Sequence, residues 1–272
     1  MTKTLMHLMI VAGMLTSAGA HAITIDGNLA DWGVQHNGNA SDWTPSSNGN
    51  IQFIEEDQHD SYLNPGYGGQ AYDAEAIYAL IQDKTLFIAL ATGHNPNTLN
   101  DPKNNSYGAG DFAIDFGRDG TYELGINIQL GGDTFGVHGG VYEVSKWDYG
   151  LWNDNQSSGY TKSEHPTSIV AGKHLGDAAL VISSGQTGYG QWASKFPNDL
   201  HYFYEMSIDL NLLTSANWDK TAFNIHWTQN CANDSIIVDP PAGVPEPGTL
   251  ALLPLGLLGL VALRRRKAVS AT

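Results

Sequence analysis

HYFYEMSIDL, residues 201–210, decides the fold class. Tyr202, Tyr204, Met206, Ile208 and Leu210 alternate with Phe203, Glu205, Ser207 and Asp209, so an extended chain here has one apolar face and one mainly polar face. The same period of two runs through YELGINIQL (122–130), where Tyr122, Leu124, Ile126, Ile128 and Leu130 share a face. Further out, ITID (23–26), IQFIEE (51–56), AEAIYALI (74–81), TLFIALAT (85–92), DFAIDF (111–116), AALVIS (178–183) and AFNIHWT (222–228) are short and rich in aromatic and β-branched residues. Gly, Asn, Asp and Pro separate them, as they separate strands. DLNLLTS (209–215) predicts one helical turn, and no long stretch keeps a helical period. The chain from 23 to 241 therefore reads as one all-β domain, a single antiparallel β-sandwich or jelly roll with little helix. No Pro-rich or charge-block linker divides it, and 31 glycines allow tight connections.

Both ends carry addresses. Lys3, the apolar stretch LMHLMIVAGMLTSAGA and then Ala20-His21-Ala22 have the order of a secretory signal, 1–22, in which signal peptidase cleaves after Ala22. At the other end Pro245-Glu246-Pro247 precedes an apolar run, 248–263, and the basic cluster Arg264, Arg265, Arg266 and Lys267. A helix over that run rises only about 24 Å against a hydrocarbon core of roughly 30 Å, and Pro254 weakens it further. The cluster holds to the cytoplasmic side, so the body lies outside. This tail, 242–272, resembles the PEP-CTERM sorting signal of Gram-negative bacteria. The resemblance implies a hydrophobic sorting helix that anchors the chain transiently in the inner membrane, an exosortase that recognises Pro-Glu-Pro and removes the tail, and a final place at the cell surface or in the extracellular matrix.

Five of the thirteen Lys and Arg lie in the two addresses, leaving eight against 28 acidic residues between Ile23 and Glu246, a formal charge of −20. Nucleic acid and anionic lipid are thereby poor partners, because binding them relies on Lys and Arg displacing counterions. Cys231 is the only cysteine, so no internal disulfide holds the domain; it either pairs between chains or sits buried, and following AFNIHW closely it is expected to be buried. There is no G-x-S-x-G elbow, H-E-x-x-H helix, phosphate loop or zinc cysteine pair, and the eight histidines outside the signal show no metal-ligand spacing. His226, in a strand beside Trp227, reads as a packed histidine. The expectation is a protein that is not an enzyme. A surface enzyme acting on glycans and a purely structural or adhesive matrix protein are the alternatives.

The opening ITIDGNLADW is similar to the Ile-Asp-Gly-x-Leu-x-Asp-Trp start of family-nine carbohydrate-binding modules, and YEMSIDLNLL looks like that family's late strand ending in an apolar turn. The resemblance implies a carbohydrate-associated binding module and extracellular polysaccharide as a partner. YDAEAIYALIQDKTLFIALATG, GDFAIDFGRDGTYELGI and NIHWTQNCANDSI also look like a recurrent group of exosortase-sorted proteins.

Two constellations carry candidate chemistry. In GDFAIDFGRDGTYELG (110–125) Asp111 and Asp115 share the face opposite Phe112, Ile114 and Phe116, and Asp119-Gly120 signals a hairpin turn that brings back Glu123. Asp111, Asp115, Asp119 and Glu123 are thus a candidate structural Ca²⁺ site, the other reading being a solvated acidic face whose turn Asp caps its own backbone. In the aromatic loops Trp147, Tyr149, Trp152 and Trp192 either stack on sugar rings or pin long loops to the sandwich. Trp32, Trp218 and Trp227 read as packing residues. Glu55, Glu56, Asp57 and Asp60 read as a solvated charge run. Glu75, which shares parity with Ile77, Ala79 and Ile81, either faces inward and needs a partner or an ion, or, the expected reading, marks the exposed start of its strand.

Overall fold

The computed structural model describes residues 22–46, 50–56, 69–130, 135–151, 165–190 and 192–240. In chain order they form β1 (Gln52–Glu55), β2 (Ala74–Gln82), β3 (Thr85–Thr92), β4 (Phe112–Phe116), β5 (Leu124–Ile126), β6 (Gly140–Tyr149), β7 (Pro166–Asp177), β8 (Ala179–Ile182), β9 (Tyr202–Asp209), α1 (Leu210–Ser215), β10 (Phe223–Thr228) and β11 (Ser235–Val238). The strands make two antiparallel sheets, β1-β2-β3-β9-β8 and β11-β10-β4-β5-β6-β7. They pack as a sandwich, the architecture expected from the alternating strands.

Alternation places the core. Ile77, Ala79 and Ile81 of β2, Leu86, Ile88 and Leu90 of β3, and Tyr204, Met206 and Ile208 of β9 meet Phe112, Ile114, Leu124, Ile126, Phe223, Ile225 and Trp227 from the second sheet. Asp209 caps α1, its side chain accepting from Asn211 N–H at 2.8 Å, and Leu210 and Leu213 close that end of the core.

Both outer faces are also covered, which the period of two does not reveal. On the first sheet the segment before β1 lays Leu29, Trp32, Val34 and Trp43 over Ala76, Tyr78, Leu80, Ala89, Ala91 and Phe203. The first half of the supposed polar face of β9 is therefore interior, with Phe203 at 1% and Glu205 at 0% exposure, while Ser207 is half-buried and Asp209 exposed. On the second sheet β6 and β7 form a long hairpin with four register irregularities. These bend it so that its far half lies over β4, β5 and β10. Gly125 makes the approach possible: a Cβ there would sit 2.7 Å from Trp147 Cη2 and 2.8 Å from Ile169 Cδ1.

Some local expectations change. Residues 23–25 form no strand, and of 122–130 only Leu124–Ile126 is strand, because the chain leaves the sheet where Asp111 captures the N–H of Ile128. Leu130 is 46% exposed despite its parity. Glu75 is 1% exposed instead of marking an exposed strand start. Cys231, Trp32, Trp218, Trp227 and His226 are buried, as expected.

Candidate functional site

The opening motif builds a cradle for a buried carboxylate. Gly27 takes φ +82°, a left-handed conformation that costs glycine nothing, and Asp26 Oδ1 accepts Asn28 N–H at 2.8 Å to close the turn. The turn aims the N–H groups of Asp26, Gly27 and Asn28 at Glu205 Oε2 at 3.2, 2.5 and 3.0 Å, while Trp32 Nε1–H donates to Oε1 at 2.7 Å. Burial raises the Glu205 carboxyl, and these donors oppose the shift. The rest of IDGNLADW is structural too, since Leu29 fills the outer core and Asp31 Oδ2 accepts Thr24 N–H at 2.6 Å.

The four carboxylates of 111–123 do not converge as one set: burial, and then the charges of Asp115 and Asp119, raise the Glu123 carboxyl, while Asp111 stands apart. Asp111 and Asp115 share a face but stand four residues apart, about 13 Å along a strand. Asp111 is buried, its Oδ1 accepting from Ile128 N–H at 3.0 Å and its Oδ2 from Ile169 N–H at 2.9 Å and Gln129 Nε2 at 3.3 Å, which sews β4 to β7. Burial pushes its pKa up to about 7 against those donors. Asp115 accepts from Asp119 N–H (3.0 Å) and Gly120 N–H (2.8 Å), Asp119 Oδ1 from Thr121 N–H (2.9 Å), and Glu123 Oε2 from Phe116 N–H (2.8 Å). The turn lies where Asp-Gly predicts it, and its acids are largely occupied in holding it.

Among the described residues, three potential metal-ligand side chains come together at Glu56, Asp73 and Asp234, whose donor atoms lie within 4.8 Å of one another. They sit after β1, before β2 and before β11; Asp73 and Asp234 are buried and Glu56 is half-buried. Asp234 Oδ2 accepts Ala74 N–H at 2.6 Å. Burial first, then the charge of Glu56, raises the Asp234 carboxyl well above the usual range, with Glu75 adding to it. Glu75 meets His201 Nε2 at 3.0 Å and accepts from Gln70 Nε2 at 2.7 Å. A set of carboxylate oxygens suits a hard cation such as Ca²⁺. Sequence reading placed Glu56 in a solvated run and passed over the other two, because the three come from separate segments with no common spacing.

The aromatic candidates divide between the sheets. Trp147 and Tyr149 lie on β6, and Trp147 is half-buried, its Nε1–H donating to Tyr122 O at 2.8 Å while its ring meets Gly125. Tyr149 is half-buried opposite Pro166. Trp192, in the loop between β8 and β9, has the Lys195 ammonium 5.1 Å from its ring centroid. Trp152 lies outside the described residues. The far half of the hairpin also brings His165 Nδ1 to 2.9 Å from His226 Nε2, with near-parallel rings, a pairing across 61 residues invisible to spacing arguments. Ala22 is exposed in coil; Ala20, Pro245, Glu246, Pro247 and Arg264, Arg265 and Arg266 lie outside the described residues. Among those described, no helix is long and apolar enough to cross a membrane.

Fold and site together define a two-sheet β-sandwich whose conspicuous acids and tryptophans largely serve its own packing. Residues 243–267 match the PEP-CTERM protein-sorting motif. The motif marks an exported, exosortase-processed protein sorted to the cell envelope or surface of a Gram-negative bacterium. No curated protein matches the chain.

Proposed function

We propose that the sandwich is a non-catalytic module working at the cell surface or in the extracellular polysaccharide matrix, where it associates with carbohydrate. The observation that carries this reading is the sorting motif at 243–267, which marks the chain for export and sorting to the cell envelope or surface. Its acidic charge suits a neutral or cationic partner better than an anionic one. A structural Ca²⁺ ion is part of the proposal, held by Glu56, Asp73 and Asp234, the converging set, in preference to Asp111, which stands apart, and Asp115, Asp119 and Glu123, which accept backbone N–H groups of their turn.

Glycan-array binding by the secreted chain, combined with a turnover assay on released polysaccharide, tests the reading. Binding without turnover is expected, and turnover abolished by a single carboxylate substitution would establish the surface enzyme instead. A purely structural or adhesive matrix protein is the second reading. It is favoured by the commitment of Trp147 to Tyr122 and Gly125, and it predicts neither binding nor turnover.

A further inference from the structure

One cleft of about 320 Å³ opens at the end of the first sheet, where the 3-10 turn Gly69–Tyr72, the loop after β3 and the loop before β9 meet. Gly93 permits that meeting: a Cβ there would stand 1.8 Å from Gln70 O. Tyr72, His94, Asn95, Thr98, Asn198 and Tyr202 contribute to the lining, a mixture of aromatic surface, amides and a hydroxyl, and Asp199 adds one carboxylate. His94 is 1% exposed, and its Nδ1 lies 2.9 Å from Ala71 O. A carbonyl only accepts, so Nδ1 carries the proton and Nε2 is left as a bare acceptor. That Nε2 is buried and has no hydrogen-bond partner in the protein, an arrangement that is costly unless a donor reaches it. The Tyr72 ring stands 5.3 Å from the imidazole.

We propose that this cleft is the sugar site of the module, taking a single neutral polyhydroxylated ring whose hydroxyl donates to His94 Nε2 and whose apolar face packs on Tyr72 and Tyr202. The inference rests on the carbohydrate-associated reading above and gives it a location away from Trp147, Tyr149 and Trp192. The volume lies near the lower end of the roughly 300–1,000 Å³ of small-molecule sites, which suits one ring and not a bound chain of them. Asp199 lines the cleft and no Lys or Arg does, so an anionic ligand meets a like charge and no counter-charge. Burial lowers the His94 pKa to about 4, which keeps the ring neutral and accepting at ordinary pH.

Saturation-transfer NMR on the full secreted chain, with glucose, galactose and mannose each as probe, tests it. Transfer from at least one sugar is expected, unchanged from pH 7 to 5.5 and lost as His94 protonates near pH 4. Asn95→Trp and Asn198→Trp replace exposed residues at the cleft and should weaken binding at least tenfold, Asn198→Trp with an unaltered melting temperature and Asn95→Trp with a small drop, because Asn95 Oδ1 accepts Asn97 N–H. His94→Phe should weaken binding likewise but also lower the melting temperature, since Ala71 O loses its donor, and Trp147→Ala should leave the affinity within twofold. No transfer from any of the three sugars, or equal affinity in Asn95→Trp, overturns the cleft. A polysaccharide pull-down separates the two failures. Retention of parent and Asn95→Trp alike rejects the cleft and spares the surface-module reading, whereas no retention and no transfer reject both.

Discussion

At the scale of single residues, the buried carboxylates control both stability and its pH dependence. Glu205→Ala would leave the N–H groups of Asp26 and Gly27 and the Trp32 indole without their acceptor, Asn28 N–H keeping Asp26 Oδ1, at a cost on the order of 3 kcal/mol. For a domain of this size that lowers the melting temperature by about 6–12 °C, readable by calorimetry. Asp111 and His226 act with opposite sign. The Asp111 pKa is raised to about 7, above its unfolded value, so its contribution is complete below about pH 4 and lost as pH rises through 7. Burial and His165 push the His226 imidazole well below its usual range, so its contribution is complete above about pH 6.5 and lost as pH falls. Asp111→Asn should therefore flatten the loss of stability between pH 4 and 7, a slope of at most about 1.4 kcal/mol per pH unit for one proton, in urea melts across that range. An unchanged slope would assign the pH dependence to another group.

At the scale of elements, the hairpin of β6 and β7 holds the second sheet's outer face closed. Trp147→Ala should cost about 2–3 kcal/mol, somewhat below the roughly 3–5 kcal/mol of a fully buried tryptophan because Trp147 keeps some exposed surface. Gly125→Ala should destabilise by a similar amount through clash instead of loss, since its methyl meets Trp147 and Ile169 at 2.7 and 2.8 Å. In the double variant the alanine methyl meets a shortened residue 147, so the two costs should fall short of additive in a double-mutant cycle. Full additivity would mean that Trp147 does not seat over Gly125. Neither β6 nor β7 was legible in the sequence. Their register shifts, at Val141/Tyr142, Val144/Lys146, Lys146/Trp147 and Asp148/Tyr149, break the alternation that reveals a strand. β9, with an unbroken register from Tyr202 to Asp209 against β3, was plain.

At the scale of the whole molecule, export and cation binding are the two properties to measure. Glu246→Ala, or deletion of 244–247, should leave the tail uncut and the protein in the inner-membrane fraction, whereas the parent is released; equal release would contradict exosortase processing. A cation that binds only the folded state at 100 times its Kd contributes about 2.7 kcal/mol. Calcium should then raise the melting temperature by about 5–10 °C over chelator. Asp73→Asn and Asp234→Asn should abolish that increment, while Asp115→Asn and Glu123→Gln should retain it. A response lost in the second pair alone would return the ion to the β4–β5 turn.

Local pattern was sufficient for the strand-rich class, the two-sheet architecture, the Asp-Gly turn, the single helical turn at 210–215 and the sorting tail, because each is written in contiguous residues whose spacing sets their faces. ITIDGNLADW announced itself as a motif, but what it holds became visible only beside Glu205, 173 residues beyond Trp32. Tertiary structure alone decided that Phe203 and Glu205 are interior, that Glu75 is buried against His201, that His165 meets His226, and that Glu56, Asp73 and Asp234 converge while Asp111 and Asp115 do not. The physical reason is common to all of them. A strand's period of two says which residues share a face, but not what covers that face, and here both outer faces are covered by segments distant in sequence.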